Sequence, residues 1–268
     1  MSDSNSTKNV IDAVAGLTKE IPIYQDLLQP AVQELGKGLH TLSKTVSLAL
    51  LPVSALVWGV DEIKGFVIDK VTQKLRNVSA EDVIAPRPNV GGPILEALRY
   101  TGHDEALSDM YANLLASAMD ISTATHSHPS FVELIKQMTS DEAKIMRLFL
   151  DRDAYPTLTL RAEFKEGTSG YDHTLLVNDL GSLASCEGPA MTPYLLDNLR
   201  RLGLVELVRE HGLHDEVGYK VLEESEGVVR AISEICSEEN MNSRTIRGAV
   251  KISPLGRLFL QVCVVSKA

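Results

Sequence analysis

The amino-acid sequence predicts a mainly α protein, with a helical N-terminal domain followed by an α+β winged-helix-like C-terminal domain. Apolar residues recur at the i, i+3/i+4 spacing of amphipathic helices from Val10 to about Leu150. From about Asp151 this spacing is lost, and strand-like and glycine-rich segments alternate with shorter helical ones. We therefore expect a polar N-terminal arm, a helical domain and a winged-helix-like domain, over residues 1–24, 25–150 and 151–268.

Composition and charge restrict the classes of protein to which this chain can belong. Of its 268 residues, 44% are hydrophobic, which is enough apolar material for a sizeable core. Its 3 cysteines are widely spaced without a C-x-x-C pair, which argues against a disulfide framework or a zinc ribbon. The net charge of −10 has the wrong sign for a chain that coats nucleic acid or anionic lipid. The N-terminus lacks the order of a secretion signal, so we expect a cytoplasmic protein.

The N-terminal helices are predicted from apolar spacing and interrupted by an unusual uncharged stretch. One helical face is formed by Leu27, Leu28, Ala31, Val32, Leu35 and Leu39. The uncharged stretch, TVSLALLPVSALVWGV, extends from Thr45 to Val60. It is shorter than the roughly 20 apolar residues that span a bilayer and longer than a typical interfacial or buried segment of about 10–14. Pro52 in its middle would kink the helix or split it in two.

Three interpretations of the Thr45–Val60 stretch remain open. A hairpin buried among the other helices, with Trp58 in the core, is favoured over a segment that inserts into a membrane when triggered. Such an insertion would place Trp58 near the interface and the lysines at positions 44, 64, 70 and 74 near the headgroups. A permanent transmembrane span is the least favoured. The candidate membrane or interaction residues are Leu48, Leu50, Leu51, Val57 and Trp58.

The clearest helix is predicted downstream of a proline- and glycine-rich connector. The connector, Ala85–Pro93, is expected to be an extended bridge because X-Pro steps favour extended backbone. The next helix keeps unbroken apolar spacing through Leu107, Met110, Tyr111, Leu114, Leu115 and Ala118. Asn113 interrupts its apolar face, and we expect the buried amide to pair with the connector backbone. Further helices are predicted to begin near Pro129 and at the T-x-x-E capping box Thr139–Glu142.

After Asp151 the predicted elements follow the outline of a winged helix with a helical insertion in the wing. Thr192-Pro193 opens a helix over Tyr194–Arg201, and the strand-like run LVELV follows it. A single helix is predicted over about Tyr219–Ile235, followed by a second strand-like run from Thr245. Ser253 is expected to cap the last helix, in which Gly256 would allow close approach to the preceding strand.

The winged-helix outline raises the question of DNA binding. The helix Tyr194–Arg201 would enter the major groove and offers Asn198, Arg200 and Arg201 as candidate nucleic-acid contacts. It also carries Asp197, and neither half of the chain is basic, whereas phosphate contacts need clustered cations. We therefore predict only weak, non-specific binding to duplex DNA. A homo-oligomer or a protein partner is the favoured use of this module.

The sequence shows no motif that predicts a catalytic, cofactor or metal site. The patterns G-x-S-x-G, H-E-x-x-H, G-x-G-x-x-G and the Walker loop are absent. His126 and His128, with Asp120 nearby, would supply part of a metal site, but such a site needs three or four rigidly placed ligands. A helix-capping loop beside Pro129 is therefore the favoured interpretation. We expect no cofactor and favour a protein without enzymatic activity.

Several segments of the chain resemble a known family. They are AEDVIAPRPNVGGPILEALRYTGHDEALSDMYANLLASAMD, HPSFVELIKQMTSDEAKIMRLF, ISPLGRLFLQVC and, upstream, ALLPVSALVWGVDEIKGFV. They resemble the Abi-alpha family, a bacterial family grouped with abortive-infection (phage-resistance) proteins. The resemblance extends from about Pro30 to the C-terminus, and its motifs are packing and capping residues. It therefore implies a role in halting or killing an infected cell and no catalytic residues.

Three functions are compatible with the residues and the resemblance. The leading hypothesis is a non-enzymatic defence effector or sensor whose N-terminal half perturbs the membrane when triggered, so that a cytoplasmic protein becomes membrane-associated. The second is a winged-helix DNA-binding regulator. The third is a defence enzyme, such as a nuclease or another hydrolase, whose site the sequence does not reveal.

Overall fold

A computed structural model describes residues 59–166 and 169–266 of the chain. Contacts within the chain divide it into two compact units. One, here called the helix-rich unit, comprises the described residues up to Ser140 together with residues 261–266. The other, the sheet unit, comprises Asp141–Leu260. The predicted N-terminal arm, the helical face over residues 27–39 and the five candidate membrane residues lie outside the described residues.

The helix-rich unit is built around a helix that is buried on almost every side. Its elements are α1 (Val60–Phe66), a π-helical turn (Val67–Val71), α2 (Thr72–Lys74), a 3₁₀ turn (Ala80–Asp82), α3 (Pro88–Thr101), α4 (Glu105–Met119), a 3₁₀ turn (Ala124–His126) and α5 (Ser130–Lys136). The Asp104 side chain caps α4 by accepting a hydrogen bond of 3.1 Å from the Leu107 amide. Twelve of its 15 residues are buried, which identifies α4 as the centre of the unit.

Only residues 85–87 of the predicted extended bridge Ala85–Pro93 lie outside a helix, and the prediction is wrong from Pro88 onward. Helix α3 begins at Pro88 and continues through Pro93. Pro88 is tolerated because an amide of the first helical turn has no partner within the helix. Pro93 removes one hydrogen bond from the helix interior. Burial of Val90, Ile94 and Leu98 on the same helix stabilises α3 despite that loss.

The C-terminal residues complete the helix-rich unit. Asn113 is buried on α4 as predicted, but its amide donates to the carbonyl oxygens of Cys263 (3.1 Å) and Val264 (3.4 Å), not to the Pro86–Pro93 backbone. Ser117, one turn further along α4, donates to the Val262 carbonyl at 3.2 Å. These carbonyls belong to a π-helical turn, Leu260–Val264, near the C-terminus. The predicted helical domain over 25–150 is thus not purely N-terminal, and it also contains an isolated β-bridge between Val83 and Asp120.

The sheet unit combines a four-stranded antiparallel sheet with helices. Its elements are α6 (Ser140–Leu148), β1 (Ala154–Phe164), β2 (Gly170–Val177), α7 (Leu180–Leu183), a 3₁₀ turn (Pro189–Met191), α8 (Thr192–Arg201), β3 (Val205–Arg209), α9 (Glu216–Glu223), α10 (Glu226–Ser237), β4 (Met241–Ile252) and α11 (Pro254–Phe259). The strand order is β2-β1-β4-β3, so β2 and β3 form the two edges. The Ser253 hydroxyl caps α11 as predicted, accepting a hydrogen bond of 2.8 Å from Gly256.

The predicted fold class is wrong, because the protein is mixed α/β and the winged helix and all-α descriptions are not supported. The centre of the sheet unit is a long pair, β1 with β4, matched continuously from Ala154–Lys251 to Phe164–Met241. The sequence predicted strand-like runs within β3 and β4 and did not predict the full β1–β4 pair or β2. Strands β1 and β4 are longer than their sequence patterns indicate because each forms hydrogen bonds with a strand that is distant in the chain. The single helix predicted over Tyr219–Ile235 is also two helices, α9 and α10.

One face of the sheet is buried beneath α9 and α10. Leu160 and Ala162 of β1 pack with Val228, Ala231 and Ile235 of α10. Leu158 packs with Tyr219 and Leu222 of α9. Because neighbouring residues of a strand point to opposite faces, the alternate residues Thr157 and Thr159 face the other side of the sheet. That second face carries the candidate site.

Candidate functional site

The second face of the sheet forms the floor of a groove about 670 Å³ in volume. Thr157 and Thr159 of β1 and Ile246 and Gly248 of β4 line its floor. Helix α8 packs against both edge strands, β2 and β3, and forms one wall. The groove thus lies between a curved sheet and a helix that contacts both of its edge strands. All of its lining residues belong to the sheet unit.

Gly248 allows its two neighbouring strands, β3 and β1, to approach closely on the groove face of the sheet. A Cβ atom at Gly248 would lie only 2.5 Å from the carbonyl oxygen of Val208 on β3 and 3.0 Å from the Thr157 hydroxyl on β1. On its other side, the Gly248 carbonyl accepts a hydrogen bond of 2.6 Å from the buried Tyr219 hydroxyl. Irregular pairing of β1 with β2 near Leu160 bends the sheet, as is usual for β-bulges.

An ion pair joins the two edges of the sheet across the groove. Arg209 of β3 donates to both carboxylate oxygens of Asp172 on β2, at 2.5 and 2.8 Å. In a flat sheet these strands, separated by two others, would be about 14 Å apart, which is too far for direct contact of these side chains. The bidentate contact is therefore made across a sheet that curls into a half-barrel. The Arg209 hydrogen bond and, after it, the Arg161 hydrogen bond hold the pKa of Asp172 below its usual value, against the opposing effect of partial burial.

Asp172 lies between two guanidinium groups. Arg161 donates to the same carboxylate at 3.2 Å. Arg161 also contacts Glu163 at 3.3 Å, and Glu163 in turn contacts Arg244 at 3.3 Å. The result is a connected set of three arginines and two carboxylates on one face of the sheet. This cluster, which we call the arginine cluster, carries one net positive charge in a chain whose total is negative.

Helix α8 presents an aromatic and charged face to the groove. Tyr194, Asp197 and Arg200 lie at i, i+3 and i+6 and all line the groove. The Tyr194 side chain is 67% exposed, and Arg200 pairs with Asp197 at 3.0 Å on the solvent-exposed surface. The wall therefore combines an accessible ring with an ion pair that is weakly held in water.

The three residues predicted as nucleic-acid contacts are divided between two faces of α8. Arg200 lies at the groove. Asn198 instead donates to Glu142 of α6 at 2.5 Å and accepts from Arg201 at 2.6 and 2.9 Å. Asn198 and Arg201, two of the predicted nucleic-acid contacts, are therefore hydrogen-bonded to other residues of the sheet unit.

The other candidates from the sequence are placed as follows. His128 accepts a hydrogen bond of 3.1 Å from the Ser130 amide at the start of α5, which is the predicted capping role. Lys74 is buried and binds Asp109 at 2.7 Å, so it is not directed toward a headgroup layer. Among the described residues, no three His, Cys, Asp or Glu side chains are grouped closely enough to hold a metal ion. No described helix has the length and apolar character needed to cross a bilayer.

The groove also contains a contact between an imidazole and a hydroxyl. His173 Nδ1 lies 2.9 Å from the Thr174 hydroxyl. Both side chains are adjacent on the edge strand β2 and open to solvent, so the contact lacks the water exclusion that strengthens catalytic hydrogen bonds.

Sequence reasoning missed the residues that define this groove. Asp172 and Arg209 are separated by 37 positions, and neither belongs to a recognisable motif. The polar alternation of YDHTLL could have indicated β2, since every second residue faces one side. No local signal predicts that the two edges of the sheet meet.

The fold and the groove define a mixed α/β protein with a ligand-sized site on one face of its sheet. The family model described as abortive infection alpha matches residues 61–263, so the chain belongs to that family, as its resemblance indicated. No curated protein matches the chain. A solved structure of an uncharacterized protein from the hydrocarbon-degrading marine bacterium Alcanivorax borkumensis SK2 is 20% identical, with a TM-score of 0.34. The match covers 51% of this chain and 96% of that one, and it is too weak to inform fold or function.

Proposed function

We propose that this protein is a non-enzymatic sensor of an abortive-infection response and that the groove of the sheet unit is its recognition site. The observation that carries the proposal is the groove itself, whose volume of about 670 Å³ lies within the range of about 300–1,000 Å³ typical of ligand sites. Its polar groups converge from two strands and one helix, an arrangement that can orient a bound molecule. Membership of the family supplies the biological setting.

The lining of the groove supports recognition and not catalysis. Four charged side chains that line the groove form two ion pairs, Asp172 with Arg209 and Asp197 with Arg200. The Asp172–Arg209 pair connects the two edges of the sheet. A ligand that must open this pair to bind therefore changes the contact between the edges, which suits a sensor. A ligand that binds the opened form better shifts the population toward it.

The proposal is tested by phage challenge of cells that express the protein. We expect the double variant Tyr194→Ala/Arg200→Ala to lose protection against a phage that the wild type restricts, with the plating efficiency rising to that of cells without the protein. The matched control is Val221→Ala/Arg230→Ala, which changes one exposed apolar side chain and one exposed arginine on α9 and α10, away from the groove. Equal melting temperatures of both variants would exclude loss of folding. Full protection by the Tyr194/Arg200 variant would contradict the proposal.

We further propose that the effector step uses the uncharged Thr45–Val60 stretch, which would insert into a membrane once the sensor is triggered. The observation that favours this step is the length of the stretch, which lies between that of a buried or interfacial segment and that of a bilayer-spanning helix, with Pro52 in its middle. A marginal segment of this kind is suited to conditional insertion.

A further inference from the structure

We propose that the groove binds a nucleotide-like ligand, a phosphate group joined to a planar ring, and that the phosphate takes the place of the Asp172 carboxylate on Arg209. The assignment rests on the proposed role of the groove as a recognition site. It adds the chemical class of the ligand, which the recognition proposal leaves open.

The first observation is that the Asp172 carboxylate occupies an anion-binding site formed by two arginine side chains. Arg209 binds both of its oxygens, at 2.5 and 2.8 Å, and Arg161 binds one of them at 3.2 Å. A planar guanidinium that grips two oxygens in this way matches phosphate as well as carboxylate. The carboxylate of Asp172 therefore shows where, and from which directions, an anion is held.

The second observation is that this internal anion can be displaced. The Arg209 side chain is 45% exposed, so a ligand can reach it from solvent. The Asp172 side chain is 22% exposed, so solvent also reaches the carboxylate that the ligand must displace. A phosphate monoester carries a charge of about −1.5 to −2 at neutral pH and offers three acceptor oxygens, against one charge and two oxygens for Asp172. The net positive charge of the arginine cluster favours the ligand with more negative charge.

The third observation is the exposed ring of Tyr194 on the wall of the same groove. An accessible aromatic ring provides a flat surface on which a nucleobase can stack, and such stacking tolerates different bases. Asp197, three residues further along α8, supplies carboxylate oxygens of the kind that accept hydrogen bonds from ribose hydroxyls. A phosphate site, a stacking surface and a hydroxyl acceptor thus lie around one cavity of suitable volume.

The inference is tested by calorimetric titration of the full chain with the four ribonucleoside 5′-monophosphates and, separately, with inorganic phosphate. We expect saturable binding of the nucleotides. Arg209→Gln should weaken it at least about tenfold, because a bidentate charge-assisted contact is lost. Tyr194→Ala should weaken nucleotide binding about tenfold and leave phosphate binding unchanged. Asp172→Asn should tighten binding about threefold, because the internal competitor no longer carries charge.

The control is Arg230→Gln, an exposed arginine on α10 that should leave all affinities unchanged. Two results would overturn the inference: no saturable binding of any nucleotide to wild type and Asp172→Asn, or nucleotide binding that Arg209→Gln does not weaken. Equal affinity for inorganic phosphate and nucleotides, unaffected by Tyr194→Ala, would overturn the assignment of a ring-bearing ligand. If nucleotides fail to bind while the Tyr194/Arg200 variant still loses phage protection, only the ligand class is wrong and the recognition function stands.

Discussion

Single glycines set how closely the elements of the sheet unit approach one another. A Cβ atom at Gly256 would collide with the Leu204 carbonyl oxygen and with the end of the Ile252 side chain. Gly256 therefore lets α11 lie directly against the strands that precede it, as the sequence predicted. Gly203, at the end of α8, has φ +75°, a left-handed conformation that favours glycine. Ser253 joins the two positions, since its hydroxyl donates to the Gly203 carbonyl at 2.5 Å.

Replacing glycine by alanine at two helical positions should have opposite effects on stability. Gly256→Ala is expected to lower the free energy of unfolding by about 2–3 kcal/mol or more, because backbone atoms must move to admit the methyl group. Gly227→Ala in α10, where a Cβ meets nothing within 4 Å, should raise it by about 0.5–1 kcal/mol by restricting the unfolded chain. Urea unfolding of both variants measures these changes. Similar destabilisation by both would contradict the close approach at Gly256.

At the scale of elements, the curved sheet is the feature that creates the site. The bulged pairing of β1 with β2 bends the sheet, and the Asp172–Arg209 contact joins its two edge strands, while Gly248 leaves room for close approach on the same face. Helix α8 then covers the concave face and supplies Tyr194 and Arg200. The groove is thus a consequence of sheet curvature and not of any single loop.

The contact between the edge strands should make stability depend on pH in the acidic range. Because Arg209 lowers the pKa of Asp172 in the folded state, its stabilisation is fully present above the usual carboxyl pKa of about 4. It is lost as the pH falls through the lower pKa of the folded protein. Both side chains are partly exposed, so the effect should be no more than about 1 kcal/mol. We expect wild type to unfold at a higher urea concentration than Asp172→Asn at pH 7 and the difference to shrink by about pH 3. A difference that does not change with pH would argue against a charged contact.

At the scale of the whole molecule, the end of the chain returns to complete the helix-rich unit. Asn113 and Ser117 of α4 satisfy carbonyl groups of the C-terminal π-helical turn. Burial raises the pKa of the Cys263 thiol well above its usual value, which keeps it neutral in this core. The helix-rich unit therefore includes contacts between residues about 150 positions apart.

Removing the Asn113 amide should destabilise the folded chain. Asn113→Ala leaves two buried carbonyl groups without this donor, and we expect a loss of about 1–3 kcal/mol in the free energy of unfolding. The matched control is Asn89→Ala at an exposed position of α3 in the same unit, with an expected change below about 0.5 kcal/mol. Urea titration followed by circular dichroism provides the measurement. Equal midpoints for the two variants would show that the Asn113 contacts do not stabilise the protein.

The proposed membrane step leads to a prediction about the intact protein during infection. We expect part of the wild type to move to the membrane fraction and Leu50→Asp to remain soluble and folded while losing toxicity. An Asp at mid-membrane costs roughly 2.5–3.5 kcal/mol on translocon scales, which opposes insertion of a short segment. Unfolding of the Leu50→Asp protein would indicate a buried core segment instead. Wild type that stays soluble throughout a growth-arresting infection would rule out insertion.

Local signals in the sequence determined where individual helices begin and end. The Thr192-Pro193 start of α8, the Ser253 cap of α11 and the start of α6 at Ser140 were all predicted, because capping and proline placement act over a few residues. The same rules failed for α3, where burial of a helical face outweighed the proline signals. A local sequence pattern indicates only the intrinsic propensity to form a helix. The free energy gained by burying apolar side chains can be larger than that propensity by several kcal/mol.

Only the tertiary structure decided the sheet and its groove. Strand β2 has a weak pattern of its own and exists because β1 supplies hydrogen-bond partners. Asp172 and Arg209 belong to no recognisable sequence motif, and they meet only because the sheet is curved and its two edges lie close together. The partners of Asn113 are likewise set by where the end of the chain packs. Such contacts depend on the relative positions of distant segments, and those positions follow from the packing of the whole chain, which no short stretch of sequence specifies.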